Sequence, residues 1–92
     1  MTEQNIQRKI IKWLESEGYY VVKVVNATKA GVPDLLACIN GKFIGIEVKT
    51  PKTKTNVSPL QAFNLTKIVV CGGHSLVAWS LEQVKEFIKE IK

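Results

Sequence analysis

The sequence predicts an α/β domain with a mixed sheet, and three observations predict it. Apolar residues at helical spacing open and close the chain, and short β-branched and aromatic runs fill its middle. An Asn40-Gly41 pair joins two of those runs, the strongest short-range signal for a tight β-hairpin. Ninety-two residues leave room for one hydrophobic core and no second, so residues 1–92 read as a single domain.

Each element has its own justification. From Thr2 to Gly18, Ile6, Ile10, Trp13 and Leu14 recur at helical spacing, and Gly18 is a natural stop. Tyr19 to Val25 is aromatic and β-branched, a strand. Asn26 to Val32 is a loop, punctuated by Gly31 and Pro33. Asp34–Ile39 and Lys42–Lys49 form the hairpin strands, apolar on both faces over much of their length, which predicts that both faces of the sheet are covered. Thr50 to Val57 is polar and reads as a mobile loop. Ser58-Pro59-Leu60-Gln61 supplies an N-cap, proline at the first helical position and glutamine at the third, and Gly72-Gly73 closes that helix. His74 to Trp79 is a fourth strand. Ser80 to Gln83 repeats the capping signature, and Val84, Phe87, Ile88 and Ile91 line one face of the last helix. The order is αβββαβ plus a C-terminal helix, without repeats.

Composition excludes several function classes. No apolar run approaches the roughly 20 residues of a membrane span, and the polar Met1-Thr2-Glu3-Gln4 start lacks a signal-peptide core. An intracellular, cytoplasmic location follows as an expectation. Cys38 and Cys71 lie in apolar stretches without metal spacing and read as small buried residues. A single histidine, His74, gives little from which to build a zinc site or a Ser-His-Asp triad. It reads as a strand-end residue, and Trp13 and Trp79 read as core.

The net charge of +5 is unevenly placed: the last twelve residues balance, so the whole excess lies in residues 1–80. A localised basic excess points to a polyanion such as nucleic acid, beside the plainer reading of a solvated surface. Between Glu17 and Glu82 only Asp34 and Glu47 are acidic, among seven lysines. A two-residue turn at 40–41 pairs Ile39 with Lys42 and, continued, sets Asp34 opposite Glu47 with Cβ atoms ~5 Å apart. Lys49 points to the same face ~6.6 Å further along its strand. Like charges directly opposite destabilise a sheet, so the pair calls for a cation, a shared proton or solvent. Mg²⁺, which takes one or two carboxylates and completes its shell with water, fits that demand; strand-end carboxylates paired with nearby lysines are the plainer alternative. Glu3 lies within about 20° of the Ile10–Leu14 line on the first helix, but an acid in a first turn is also favoured by the helix dipole. Gln61 likewise has a sufficient reason in the Ser58 capping box. Lys52 and Lys54 either meet phosphates or are simply solvated.

Pro33-Asp34 followed by Glu47-Val48-Lys49 resembles the PD-(D/E)XK nuclease signature, and αβββαβ resembles the restriction-endonuclease-like core of that superfamily. Glu3-Gln4, Gly31-Val32-Pro33-Asp34-Leu35, Ser58-Pro59-Leu60-Gln61 and Gly72-Gly73-His74-Ser75-Leu76-Val77 further resemble stand-alone VRR-NUC (virus-type replication-repair nuclease) domains. Archaeal Holliday-junction resolvases are a more distant resemblance.

The resemblance implies a mixed four-stranded central sheet flanked by helices. It implies a Mg²⁺-dependent, structure-selective endodeoxyribonuclease of phage or prophage type, also supported by Mn²⁺, that cuts branched DNA such as Holliday junctions as a homodimer in DNA repair. Asp34, Glu47 and the Val48 carbonyl would hold the metal, and Glu3 would complete the site. Lys49 would polarise the attacking water, Gln61 would bridge the site, and Lys29, Lys52 and Lys54 would contact DNA. No small-molecule cofactor and no membrane partner is implied. The alternative is a nucleic-acid-binding module on a nuclease-like fold without catalysis.

Overall fold

A computed structural model describes residues 1–92 and gives α1 (Glu3–Ser16), β1 (Tyr20–Lys23), β2 (Leu35–Ile39), β3 (Lys42–Val48), α2 (Pro59–Val70), β4 (His74–Ala78) and α3 (Leu81–Ile91). The strands form one sheet in the order β1-β2-β3-β4. Its first three strands are antiparallel, and β4 lies parallel to β3 after the α2 crossover. This is the α/β architecture that the sequence predicts.

Local chemistry sets the element ends. Thr2 is the N-cap of α1 rather than part of it, its side chain accepting from the Asn5 amide. At the other end Gly18, at φ +83°, donates to Glu15 O, and Tyr19 donates to Leu14 O. These are the two bonds of a Schellman stop. Gly72 and Gly73 close α2 in the same way through Val69 O and Ile68 O. The hairpin turn has Asn40 and Gly41 both at positive φ, and the ladder runs from Ile39↔Lys42 to Leu35↔Ile46 in the expected register. At α3 the capping signature is only half used. Ser80 Oγ accepts from Gln83 N, but Gln83 Oε1 takes the Trp79 amide instead of that of Ser80. Residues 51–55 form a turn braced by reciprocal Thr50–Thr53 hydrogen bonds.

The two faces of the sheet are unlike. Ile44, Ile46 and Val48 alternate with Gly45 and Glu47 along β3. The first set joins Leu35, Ala37, Ile39 and Ala78 in a core closed by Ile6, Ile10 and Leu14 of α1 and by Val84 and Ile88 of α3. The opposite face carries Gly45, against which Ile68 and Pro33 pack so closely that an added Cβ would lie 2.7 Å from Ile68 Cδ1. Only α2 covers this side, and none of its residues is fully buried. Tyr20, Val22, Cys38 and Phe43 are left exposed. The expectation that both faces are covered is thus met on one face and only in part on the other. Both cysteines are exposed, not buried. Cys38 alternates onto the open face, and Cys71 sits at the C-cap of α2. No helix is long and apolar enough to cross a membrane.

Candidate active site

β3 ends at the N-terminus of α2, and there the sheet's thinly covered face carries its charged groups. Glu47 is 3% exposed and Lys49 8%, so both are buried although their residue types seldom are. Their burial is balanced by mutual contacts. Lys49 Nζ lies 3.8 Å from Glu47 Oε2 and donates to Gln61 Oε1 at 3.2 Å. Gln61 Nε2 donates back to Glu47 Oε2 at 3.1 Å.

Gln61 therefore serves two structures at once. Its Oε1 also accepts the Ser58 amide at 3.0 Å, and its own amide donates to Ser58 Oγ at 3.1 Å, completing the capping box. The capping reading of this residue holds, and its side chain also contacts both Glu47 and Lys49. The cap fixes the side chain that links the buried acid to the buried lysine.

Asp34 reaches the site by a different route from the one the hairpin arithmetic predicts. The paired register stops at Leu35↔Ile46, and Asp34 is a bend residue one step beyond it. Its carbonyl still accepts from Val24 N of the chain leaving β1, and its Oδ2 accepts from Val48 N at 2.8 Å. Asp34 thus joins Glu47 as a carboxylate bound to the next backbone amide of β3, not as a cross-strand ladder partner.

The electrostatics follow from this packing. The Glu47 pKa is raised from 4.5 to about 7, first by burial, then by the charge of Asp34 and a hydrogen bond shared with it. Lys49 opposes the shift, and Glu3 adds to it from the start of α1. Two carboxylates with only one buried ammonium between them leave the cluster short of positive charge.

A divalent cation would correct that shortage. Asp34 Oδ2 accepts from the Val48 amide and Glu47 Oε2 from Gln61, and the two carboxyl groups also share a hydrogen bond with each other. Two carboxylates on rigid backbone, sharing a proton that a cation would replace, suit a hard ion that keeps much of its water. No three Asp, Glu, His or Cys side chains converge into a ligand set. Glu3 is felt by Glu47 as a charge and is not drawn up to Asp34 and Glu47 as a third ligand.

The other predicted residues are placed apart. Lys52 and Lys54 lie on the exposed turn after β3, with Lys54 Nζ 5.1 Å from the Trp79 ring centroid. Lys29 instead lines a cleft at the C-terminal end of α2, together with Lys42 and Lys67. Those last two escape a motif search because they come from separate elements and have no fixed spacing. His74 stacks edge-on against Phe87 at 6.4 Å, in keeping with a strand-end packing role.

Comparisons with known proteins identify the family and the fold. Residues 3–92 match the family described as archaeal Holliday junction resolvase (Hjc). One solved structure, titled VRR_NUC domain, is 27% identical with a TM-score of 0.79, and 97% of each chain is covered. A second, titled VRR_NUC domain protein, shares the fold at a TM-score of 0.80 and 21% identity, over 97% of this chain and 86% of that one. Among curated proteins, none matches the chain.

Proposed function

We propose that this chain, which belongs to the archaeal Holliday junction resolvase (Hjc) family, is a divalent-metal-dependent endonuclease that cuts branched DNA as a homodimer. Its resemblance to VRR-NUC nuclease domains supports the hydrolytic chemistry. The observation that carries the reading is the buried Glu47–Lys49 pair linked by Gln61 beside the half-buried Asp34. A binding module gains nothing by holding two carboxylates together on a surface meant for phosphates, whereas a phosphodiesterase needs them.

Asp34 and Glu47 would hold Mg²⁺ or Mn²⁺ through their carboxylates, with the Val48 carbonyl as a third donor and Glu3 acting through water. The ion, when bound, supplies charge neutralisation at the phosphate and acidifies the attacking water. Lys49 keeps a fixed ammonium beside the acids, where developing charge on the phosphate is stabilised without reorganisation. Gln61 holds that ammonium and the Glu47 carboxylate in register. Lys52 and Lys54, on the turn next along the chain, supply backbone contacts to DNA.

The homodimer is supported by α2. Leu60 and Phe63, one turn apart on the N-terminal half of α2, are both more than half exposed, and that half carries no charged residue. A helix packed on one side yet apolar on the other calls for a partner. A second copy related by a two-fold axis would bury identical faces and bring two active sites to one junction.

The test is cleavage of matched four-way, flap and linear DNA with Mg²⁺. Wild type should cut the branched substrates, and Asp34→Asn should not. Binding that persists while no divalent ion produces cleavage would identify a non-catalytic module instead. Phe63→Glu should convert the dimer to monomer in light scattering.

A further inference from the structure

Away from the carboxylates, a cleft of about 540 Å³ opens at the C-terminal end of α2. Three lysines reach it from three segments: Lys29 from the loop before β2, Lys42 from the start of β3, and Lys67 from the last turn of α2. Phe43, 48% exposed, forms part of the wall. No carboxylate lines the cleft, and none of its lysines is ion-paired, the two ion pairs being Lys49–Glu47 and Lys89–Glu86. The helix dipole accounts for Lys67 alone. Lys29 and Lys42 are brought there by the loop and the hairpin, against mutual repulsion that a polyanion would relieve.

The cleft is mechanically tied to the acids. Asn64 Nδ2 donates to Ala30 O at 3.1 Å and to Leu60 O at 2.9 Å, clamping the Lys29 loop to α2. Gly31, at φ +82°, approaches so closely that a Cβ would lie 2.7 Å from the Leu60 carbonyl carbon. The same loop ends at Asp34. Lys67 lies six positions after Gln61 on α2, about 9 Å of helix rise.

We propose that the Lys29–Lys42–Lys67 cleft is a second phosphate-binding subsite, holding the DNA backbone to one side of the scissile phosphate. Phe43 offers a stacking surface for an unpaired base at a branch. The inference rests on the nuclease reading and adds to it where an arm of the substrate lies.

The test is fluorescence anisotropy of labelled four-way and duplex DNA, in EDTA to prevent cleavage, over a series of salt concentrations. The variant is Lys42→Ala with Lys67→Ala. The control is Lys89→Ala with Lys92→Ala, which removes equal charge from the C-terminal helix. The cleft variant should bind roughly tenfold more weakly, and its salt slope should fall by about 1.8, at about 0.9 per lost phosphate contact. The control should change neither, and both variants should melt with wild type. A cleft variant indistinguishable from the control overturns this inference alone, since wild-type binding leaves the nuclease reading standing. A wild type that binds no DNA at low salt overturns both.

Discussion

The two faces of this sheet were built for different purposes. Against α1 and α3 the packing is almost wholly aliphatic, and Ile10, Leu14, Leu35 and Val48 have no exposed surface. Against α2 the buried positions are Gly45, Glu47 and Lys49, and the helix above them stays half open. The first face gains stability from apolar area removed from water, about 25 cal/mol per Å². The second spends some of that stability, burying an acid whose ionisation is disfavoured. One sheet thus separates an aliphatic core from a charged cluster by the parity of its side chains, since neighbours along β3 point to opposite faces.

The largest contrast should come from Glu47→Gln. We expect cleavage to fall by roughly a thousandfold or more, the scale of removing a preorganised charged group, with stability at pH 8 unchanged or raised. A variant that unfolds would show that Glu47 belongs to the structural half after all. The opposite signature is expected for Ile10→Ala. Denaturant unfolding should show a loss of about 2–5 kcal/mol, with DNA cleavage per folded molecule close to wild type.

pH sharpens the comparison further. Because the Glu47 pKa is raised from 4.5 to about 7, the folded, metal-free protein keeps a proton there that the unfolded chain releases. Stability from this group is therefore full below about pH 4.5 and declines as pH rises toward 7, by on the order of 3 kcal/mol at 1.36 per pKa unit. Urea unfolding at pH 5 and pH 8 in EDTA measures the decline. Asp34→Asn should flatten it by removing the nearest repelling charge. Added Mg²⁺ should offset it at pH 8, where the proton no longer competes for the carboxylates.

The smallest effects separate the two roles of Gln61. Losing either half of a capping box costs about 1 kcal/mol, and Gln61→Ala also strips a hydrogen bond from buried Glu47 and from buried Lys49, so it should destabilise more than Ser58→Ala. Only Gln61→Ala also removes the link between Glu47 and Lys49, and its cleavage rate should drop roughly tenfold further, about 1.4 kcal/mol of barrier. Equal rates for the two variants would reduce Gln61 to a cap.

Much of the site was legible in the chain, and the limits are physical. Asp34, Glu47 and Lys49 were readable because a two-residue turn fixes the hairpin register. Even so, the register overstated Asp34, since the strand ends one residue short of it and its carboxylate meets the Val48 amide instead. Cys38 and Cys71 were misjudged because apolar neighbours in sequence do not say whether anything covers that face. Lys42 and Lys67 carried no signal, because the cleft exists only where a hairpin, a loop and a helix end meet.

By itself the sequence determined what lies within a few residues of its cause. Helix caps at Thr2 and Ser58, the Schellman glycines Gly18 and Gly72, and the Asn40-Gly41 turn are local hydrogen-bond and backbone preferences, decided before any tertiary contact. Tertiary structure alone decided which of those elements meet. The Ser58 cap lands beside Glu47, so a local hydrogen bond becomes part of the site. One sheet face is also left half uncovered, because α2 is the single helix packed there. Burial, and with it the raised pKa of Glu47, depends on residues distant in the chain, and no local pattern records their approach.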